Sequence, residues 1–174
     1  MGTISKKIVI LCLLIFNSVC IEAQIQRKFF SFNLGKTTRH EIINYYKVRN
    51  QKIWYSKDTS ISVRQVNFGG HTWPVVYFSF HKDKLYHVYF SDSEGFTPIE
   101  SLDLLWKRLT STLSSKYDSY YDEYESTYND KEFNDNRTKA ILKYEYFEGS
   151  KGIILMYIDT SLQREKIISE NDEL

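Results

Sequence analysis

Two periods alternate along the chain. Apolar residues recur at three- and four-residue intervals in Ile42, Ile43 and Tyr46, and again in Ile99, Leu102, Leu105, Trp106, Leu109 and Leu113. Asp103, Lys107, Arg108 and Ser111 fall mostly off the second stripe, so each set reads as one buried side of a helix. Each helix opens on a capping box. In Thr38-Arg39-His40-Glu41 the threonine hydroxyl accepts from the backbone N–H three residues on, and the glutamate reaches back to the threonine N–H, which predicts a helix to about Lys47. Thr97-Pro98-Ile99-Glu100 repeats the device, with Pro98 at the first helical position, where its missing N–H costs nothing.

Between the two helices the period falls to two, in Ile61 to Phe68, Pro74 to Phe80 and Leu85 to Ser91, with turn signals at Gly69-Gly70 and Lys82-Asp83-Lys84. This predicts three strands in meander order. A three-residue loop at Lys82 to Lys84 pairs Phe80 with Tyr86, Phe78 with Val88 and Val76 with Phe90. The opposite, polar face then carries Tyr77, Ser79, His81, His87 and Tyr89. Ala140 to Glu148 and Gly152 to Asp159 form a further hairpin around Glu148-Gly149-Ser150, and Leu162 to Ser169 reads as a strand or a short helix, with helix favoured. The expected class is α+β, an antiparallel sheet with two main helices packed on one face. It is either two helix-plus-sheet repeats or one continuous sheet.

The first residues change the picture of where the chain works. Lys6 and Lys7 precede the apolar run Ile8 to Phe16, which is too short for a bilayer-spanning helix of about 20 residues. Ala23, before Gln24, supplies the small residue that a signal peptidase needs. The expectation is a cleaved signal peptide at 1–23 and a single domain at 24–174, periplasmic or secreted, with no membrane span in the mature chain. Lipid attachment at Cys20 is the alternative, but Asn17-Ser18-Val19 before it departs from the Leu-Ser-Gly or Leu-Ala-Gly of a lipoprotein box.

Cys12 and Cys20 both fall within the removed segment. The mature chain therefore cannot be a disulfide scaffold or a cysteine-ligated zinc protein, and the lack of disulfides tilts the reading toward a bacterial envelope. Taking Lys6, Lys7 and Glu22 from 23 basic and 22 acidic side chains leaves 21 of each, so no global field favours nucleic acid or a membrane surface. The charge is nonetheless uneven. Arg27 to Lys57 holds eight basic residues against Glu41, whereas Asp118 to Asp135 holds seven acidic residues against Lys131, among Tyr117, Tyr120, Tyr121, Tyr124 and Tyr128. Such runs form either two binding faces of opposite sign or ordinary solvated surface.

Catalytic and metal motifs are thin. His81 and His87 fall at diagonal cross-strand positions on the polar face, where two imidazoles can approach one metal, with Asp92 or Asp83 as a third ligand. Polar-face histidines with no metal are the commoner outcome, and no metal or cofactor is expected. Asp130, Glu132, Asn134 and Asn136 imitate the start of a calcium loop, but Asp135 stands where glycine is needed and Ile141 where a bidentate carboxylate is needed. There is no mature cysteine, no Gly-x-Ser-x-Gly elbow and no phosphate-cradling glycine loop. Trp73, in Phe68-Gly69-Gly70-His71-Thr72-Trp73-Pro74, is either a preformed contact or a cap on the core. The sequon Asn136-Arg137-Thr138 and the tail Asn171-Asp172-Glu173-Leu174, similar to a reticulum-retention signal, belong to a eukaryotic alternative.

The signal segment ending in Ala-Gln, followed by Phe-Asn-Leu-Gly-Lys-Thr-Thr-Arg-His-Glu-Ile from Phe32, resembles small exported proteins of Bacteroidetes. Leu34 to Thr38 with its helix also resembles the entry of outer-membrane assembly lipoproteins of the SmpA/OmlA type, which implies a helix on a three-stranded antiparallel sheet over Asn33 to Ser91. The chain departs from that pattern after the helix, with Tyr46-Lys47-Val48-Arg49-Asn50 in place of Gly-x-Pro, and no function is carried over. The expected function is an exported, non-enzymatic binding module for an unknown protein or cell-envelope component. An inhibitor of an extracytoplasmic hydrolase is the second reading, and a hydrolase the third.

Overall fold

The computed structural model describes residues 24–93, 101–147 and 150–172. The expected signal segment at 1–23, the Thr97 to Glu100 capping box and the Glu148-Gly149 turn lie outside them. The chain runs β1 (Lys28–Phe29), β2 (Phe32–Asn33), α1 (Arg39–Val48), β3 (Ile53–Lys57), β4 (Ser60–Phe68), β5 (His71–His81) and β6 (Lys84–Ser93). It continues with α2 (Leu102–Tyr117), β7 (Asp130–Asn134), β8 (Thr138–Phe147), β9 (Ser150–Asp159) and α3 (Thr160–Asn171). The class is α+β. Seven strands form one antiparallel sheet in the order β3-β4-β5-β6-β9-β8-β7, and β1 and β2 pair separately.

Both arms of the first capping box are present: Glu41 N–H donates to Thr38 Oγ1 at 3.3 Å, and Thr38 N–H donates to Glu41 Oε2 at 2.7 Å. α2 begins at Leu102 with Ser101 as its cap, the hydroxyl accepting from Leu104 N–H at 3.4 Å. Leu102, Leu105, Leu109 and Leu113 are buried, and Trp106 is partly so. α3 resolves the Leu162 to Ser169 ambiguity as helix, opened by Asp159, whose carboxylate accepts from Leu162 N–H at 2.9 Å.

The β5–β6 turn corrects the expected register. Lys82 and Asp83 have φ of 48° and 57°, the left-handed pair of a two-residue hairpin turn, and His81 pairs with Lys84. Phe78 meets Val88 and Val76 meets Phe90, but a shift after Ser79 pairs Phe80 with Leu85 and not with Tyr86. Tyr86 is the extra residue of a bulge. A second irregularity lies at Gln65, whose φ is 55°, opposite Pro74, which has no N–H to give the ladder. Along β4 the core-facing set changes there from Ile61 and Val63 to Val66 and Phe68, so both halves of a long strand reach the core.

The segment before α1 crosses the core as a strap. Ile25, Phe29, Phe32 and Leu34 are buried, each apolar side chain contributing about 1.5–3 kcal/mol. Phe29 lies 4.7 Å from the Tyr157 ring and 6.3 Å from Phe90. One end is tied by Ile25 N–H to Asp135 Oδ2 at 3.0 Å and by Arg27, which binds Thr138 Oγ1 at 2.7 Å and pairs with Asp159. The other end joins β6 through Gly35 N–H to Leu85 O and Leu85 N–H to Thr37 O, each 2.7 Å. Ile42 and Tyr46 of α1 and Leu102, Leu105, Leu109 and Leu113 of α2 belong to one core cluster with Val76, Phe78, Val88, Phe90, Leu155 and Tyr157. Among the described residues no helix is long and apolar enough to cross a membrane.

Candidate binding surface

The candidate site residues Trp73, His81 and His87 all lie among the described residues. Trp73 is fully buried, its indole N–H donating to Phe68 O at 3.1 Å and its ring packed against His71 and Phe90. It therefore offers no surface to a partner. The glycines before it, at φ +61° and +72°, make the two-residue turn between β4 and β5. His81 and His87 are not open polar-face residues: the Nε2 atom of each is buried without a hydrogen-bond partner among the described residues. Burial lowers the His87 pKa from 6.5 to about 4. α3 touches β5, β6 and β9 here, with Glu165 3.1 Å from Lys82. Ile158, paired with His87, is buried as well.

No group of three histidine, cysteine or carboxylate side chains among the described residues is placed to hold a metal. The imitation of a calcium loop is a tight β7–β8 turn. Asp135 Oδ1 accepts from Arg137 N–H at 3.0 Å and Thr138 N–H at 2.7 Å, and Asn134 Oδ1 accepts from Asn136 N–H at 2.9 Å. These oxygens are engaged with the turn itself, an Asx arrangement.

One pair escaped the sequence reading. His71 Nε2 lies 2.8 Å from Asp92 Oδ2, with side-chain exposures of 6% and 3%. A histidine held by a carboxylate is two thirds of a nucleophilic triad, but a reacting group must reach its base, and this pair is closed off from solvent. It ties the start of β5 to the end of β6. The residues are 21 apart in sequence, and no local motif links them.

Exposed aromatic and basic side chains meet at the β3 end of the sheet. β3 is an edge strand, and Trp54, 56% exposed, stands on it beside exposed Tyr55. The Arg64 guanidinium lies 3.5 Å from the Trp54 ring centroid, with Lys52 at 5.9 Å, and Lys57 lies 5.6 Å from Tyr55. The Tyr55 hydroxyl raises the Lys57 pKa by hydrogen bonding, which keeps that ammonium charged. At the end of α1, Arg49 stacks 3.6 Å over Tyr45, and Val48 is exposed. A cleft of about 380 Å³ there is lined by Phe32, Glu41, Asn44, Tyr45, Val48 and Arg49, among others. Cation–π contacts at exposed sites contribute only about 0.5–1 kcal/mol each. Their effect is to hold aromatic faces and positive charge together in a fixed arrangement.

A second opening, about 360 Å³, lies between α2 and β8, lined by Asp103, Trp106, Tyr128, Asn129, Tyr144 and Lys151. Tyr144 already donates to Asp103 Oδ1 at 2.9 Å across it. No protein-family model, curated protein or solved structure compared with this chain matches it.

Proposed function

We propose that the chain is an exported, non-enzymatic binding module that meets a protein or cell-envelope component at the basic, aromatic edge of its sheet. The observation that carries this reading is Trp54, more than half exposed on an edge strand and clamped by Arg64 at 3.5 Å. An aromatic side chain left in water is an unused burial term of about 1.5–3 kcal/mol, and tryptophan, tyrosine and arginine are the residues that dominate binding surfaces. As an edge strand, β3 also has one side without a neighbouring strand, where an extended partner can pair, although Arg39 Nε already donates to Lys57 O at 3.0 Å at its end. Export is supported by Lys6, Lys7, the Ile8 to Phe16 run and Ala23. In this reading the chain is two helix-plus-meander units, α1 with β3–β6 and α2 with β7–β9, both helices on one face and the units joined at β6–β9.

The same exposed Trp54 and Tyr55 favour inhibition of an extracytoplasmic hydrolase as a second reading, since such a patch can fill a catalytic cleft. Loss of hydrolase turnover on adding the chain, restored by Trp54→Ala, distinguishes this from simple attachment.

The test is site-specific photocrosslinking in the native cell, with a photoreactive residue in place of Trp54 and, as control, in place of Ile168 on α3, which is equally exposed. The expected result is an adduct from position 54, absent at 168, in the exported fraction on a chain beginning at Gln24. Equal labelling at both positions, or a chain retained uncut in the cytoplasm, contradicts the reading.

A further inference from the structure

The two edges of the sheet are finished in opposite ways. The β7 edge is closed by the chain that precedes it. Asp122 N–H donates to Glu132 O at 2.9 Å, Glu132 N–H donates to Ser126 Oγ at 3.0 Å, and Tyr121 bridges Phe133. The closing segment carries exposed Glu123 and Glu125, with Tyr124 and Tyr128 at 99% and 90% exposure. Its shape is set from within, because Asp122 Oδ1 accepts the N–H groups of Tyr124 and Glu125, each at 3.2 Å. The opposite edge, β3, presents Lys52, Lys57 and Arg64 around Trp54 and Tyr55.

Six strand spacings of about 4.8 Å separate the two edges, roughly 29 Å along the sheet. That is more than three Debye lengths of about 8 Å at physiological salt, so neither edge neutralises the other within one molecule. Both carry the mixture of aromatic and charged groups that a contact needs, with opposite sign. Electrostatic complementarity of this kind steers encounter and fixes register.

Resting on the reading of β3 as the binding surface, we propose that its partner is a second copy of this chain: the acidic tyrosine segment 121–128 of one molecule docks on the basic β3 edge of the next. The contact joins two different patches and is heterologous, so it propagates head to tail into a ring or a filament. Glu123 and Glu125 meet Lys52, Lys57 and Arg64, and the exposed tyrosine rings cover Trp54.

The experiment is sedimentation velocity on the mature full chain with two charge-reversed variants, Lys52→Glu/Lys57→Glu/Arg64→Glu at the edge and Glu123→Lys/Glu125→Lys in the segment. All five positions are exposed, and circular dichroism checks that each variant is folded. The unchanged chain is expected to associate with rising concentration at low salt and to lose that association at high salt. Each variant alone is expected to stay monomeric. An equimolar mixture of the two is expected to associate again, because the reversed edge of one now fits the reversed segment of the other. A monomeric chain at every concentration, association unchanged in either variant, or a mixture that stays monomeric overturns the proposal. Poly-glutamate, added as a probe, separates this from failure of the underlying reading. A monomeric chain that binds it, with loss of binding in the edge variant, keeps β3 as the surface and rejects only the second copy as partner.

Discussion

His87 Nε2 is buried without a partner, and burial lowers the pKa from 6.5 to about 4. Between those values the unfolded chain takes up a proton that the native chain refuses, so native stability falls as pH falls. At 1.36 kcal/mol per pKa unit the loss is about 3 kcal/mol. Urea unfolding at pH 7 and pH 4 should show the unchanged chain losing that much more than His87→Leu. Gly35 makes a second residue-scale case. Its φ is +80°, and an added Cβ would stand 2.7 Å from the Asp159 carboxylate that pairs with Arg27. Gly35→Ala should therefore cost about 1–2 kcal/mol from backbone conformation alone, plus the displaced ion pair, read as a lower denaturant midpoint with unchanged slope. In sequence, His81 and His87 look like open polar-face residues because the element that covers them, α3, was ambiguous between strand and helix. Trp73 was open to two readings for a similar reason: its burial depends on Phe90, which comes from the neighbouring strand β6.

At the scale of elements, the devices written locally are the ones the sequence displays. Thr38 and Glu41 predict α1, and the leucine spacing predicts α2, because caps and periodicity act within a few residues. Thr38→Ala should lower stability by about 1 kcal/mol, measured by chemical unfolding. β3 and β7 were missed because neither alternates: Ile-Trp-Tyr-Ser-Lys lies mostly exposed at one edge, and Asp-Lys-Glu-Phe-Asn is largely polar. Their places come from pairing with β4 and β8. The Tyr86 bulge was likewise hidden: it offsets the shorter turn, so only the partners of Phe80 and His81 differ from those of a three-residue loop. The strap was illegible for a third reason: its anchors Asp135, Thr138 and Asp159 lie more than a hundred residues away.

For the molecule as a whole, that strap ties the first described residues to the last strand. Arg27→Ala should loosen the strap and the β9–α3 junction at once, at a cost below the 3–5 kcal/mol of a fully buried pair, since Arg27 is 22% exposed and Asp159 is 7% exposed. Amide exchange should then rise in β1 and at the start of α3 together. The charge pattern was legible in the sequence as two runs of opposite sign, but only the strand order places them at opposite edges of one sheet, and only the backbone bonds show that one edge is closed. In the proposed assembly the basic β3 edge of one molecule meets the acidic segment of another. Backbone amide hydrogen exchange on the purified protein, followed as its concentration rises at low salt, reads that contact out. Protection is expected to grow together at Ile53–Lys57 and at residues 121–128 while β5 and β9 stay constant; exchange at Ile53–Lys57 that does not change with concentration would mean that this edge meets no second copy.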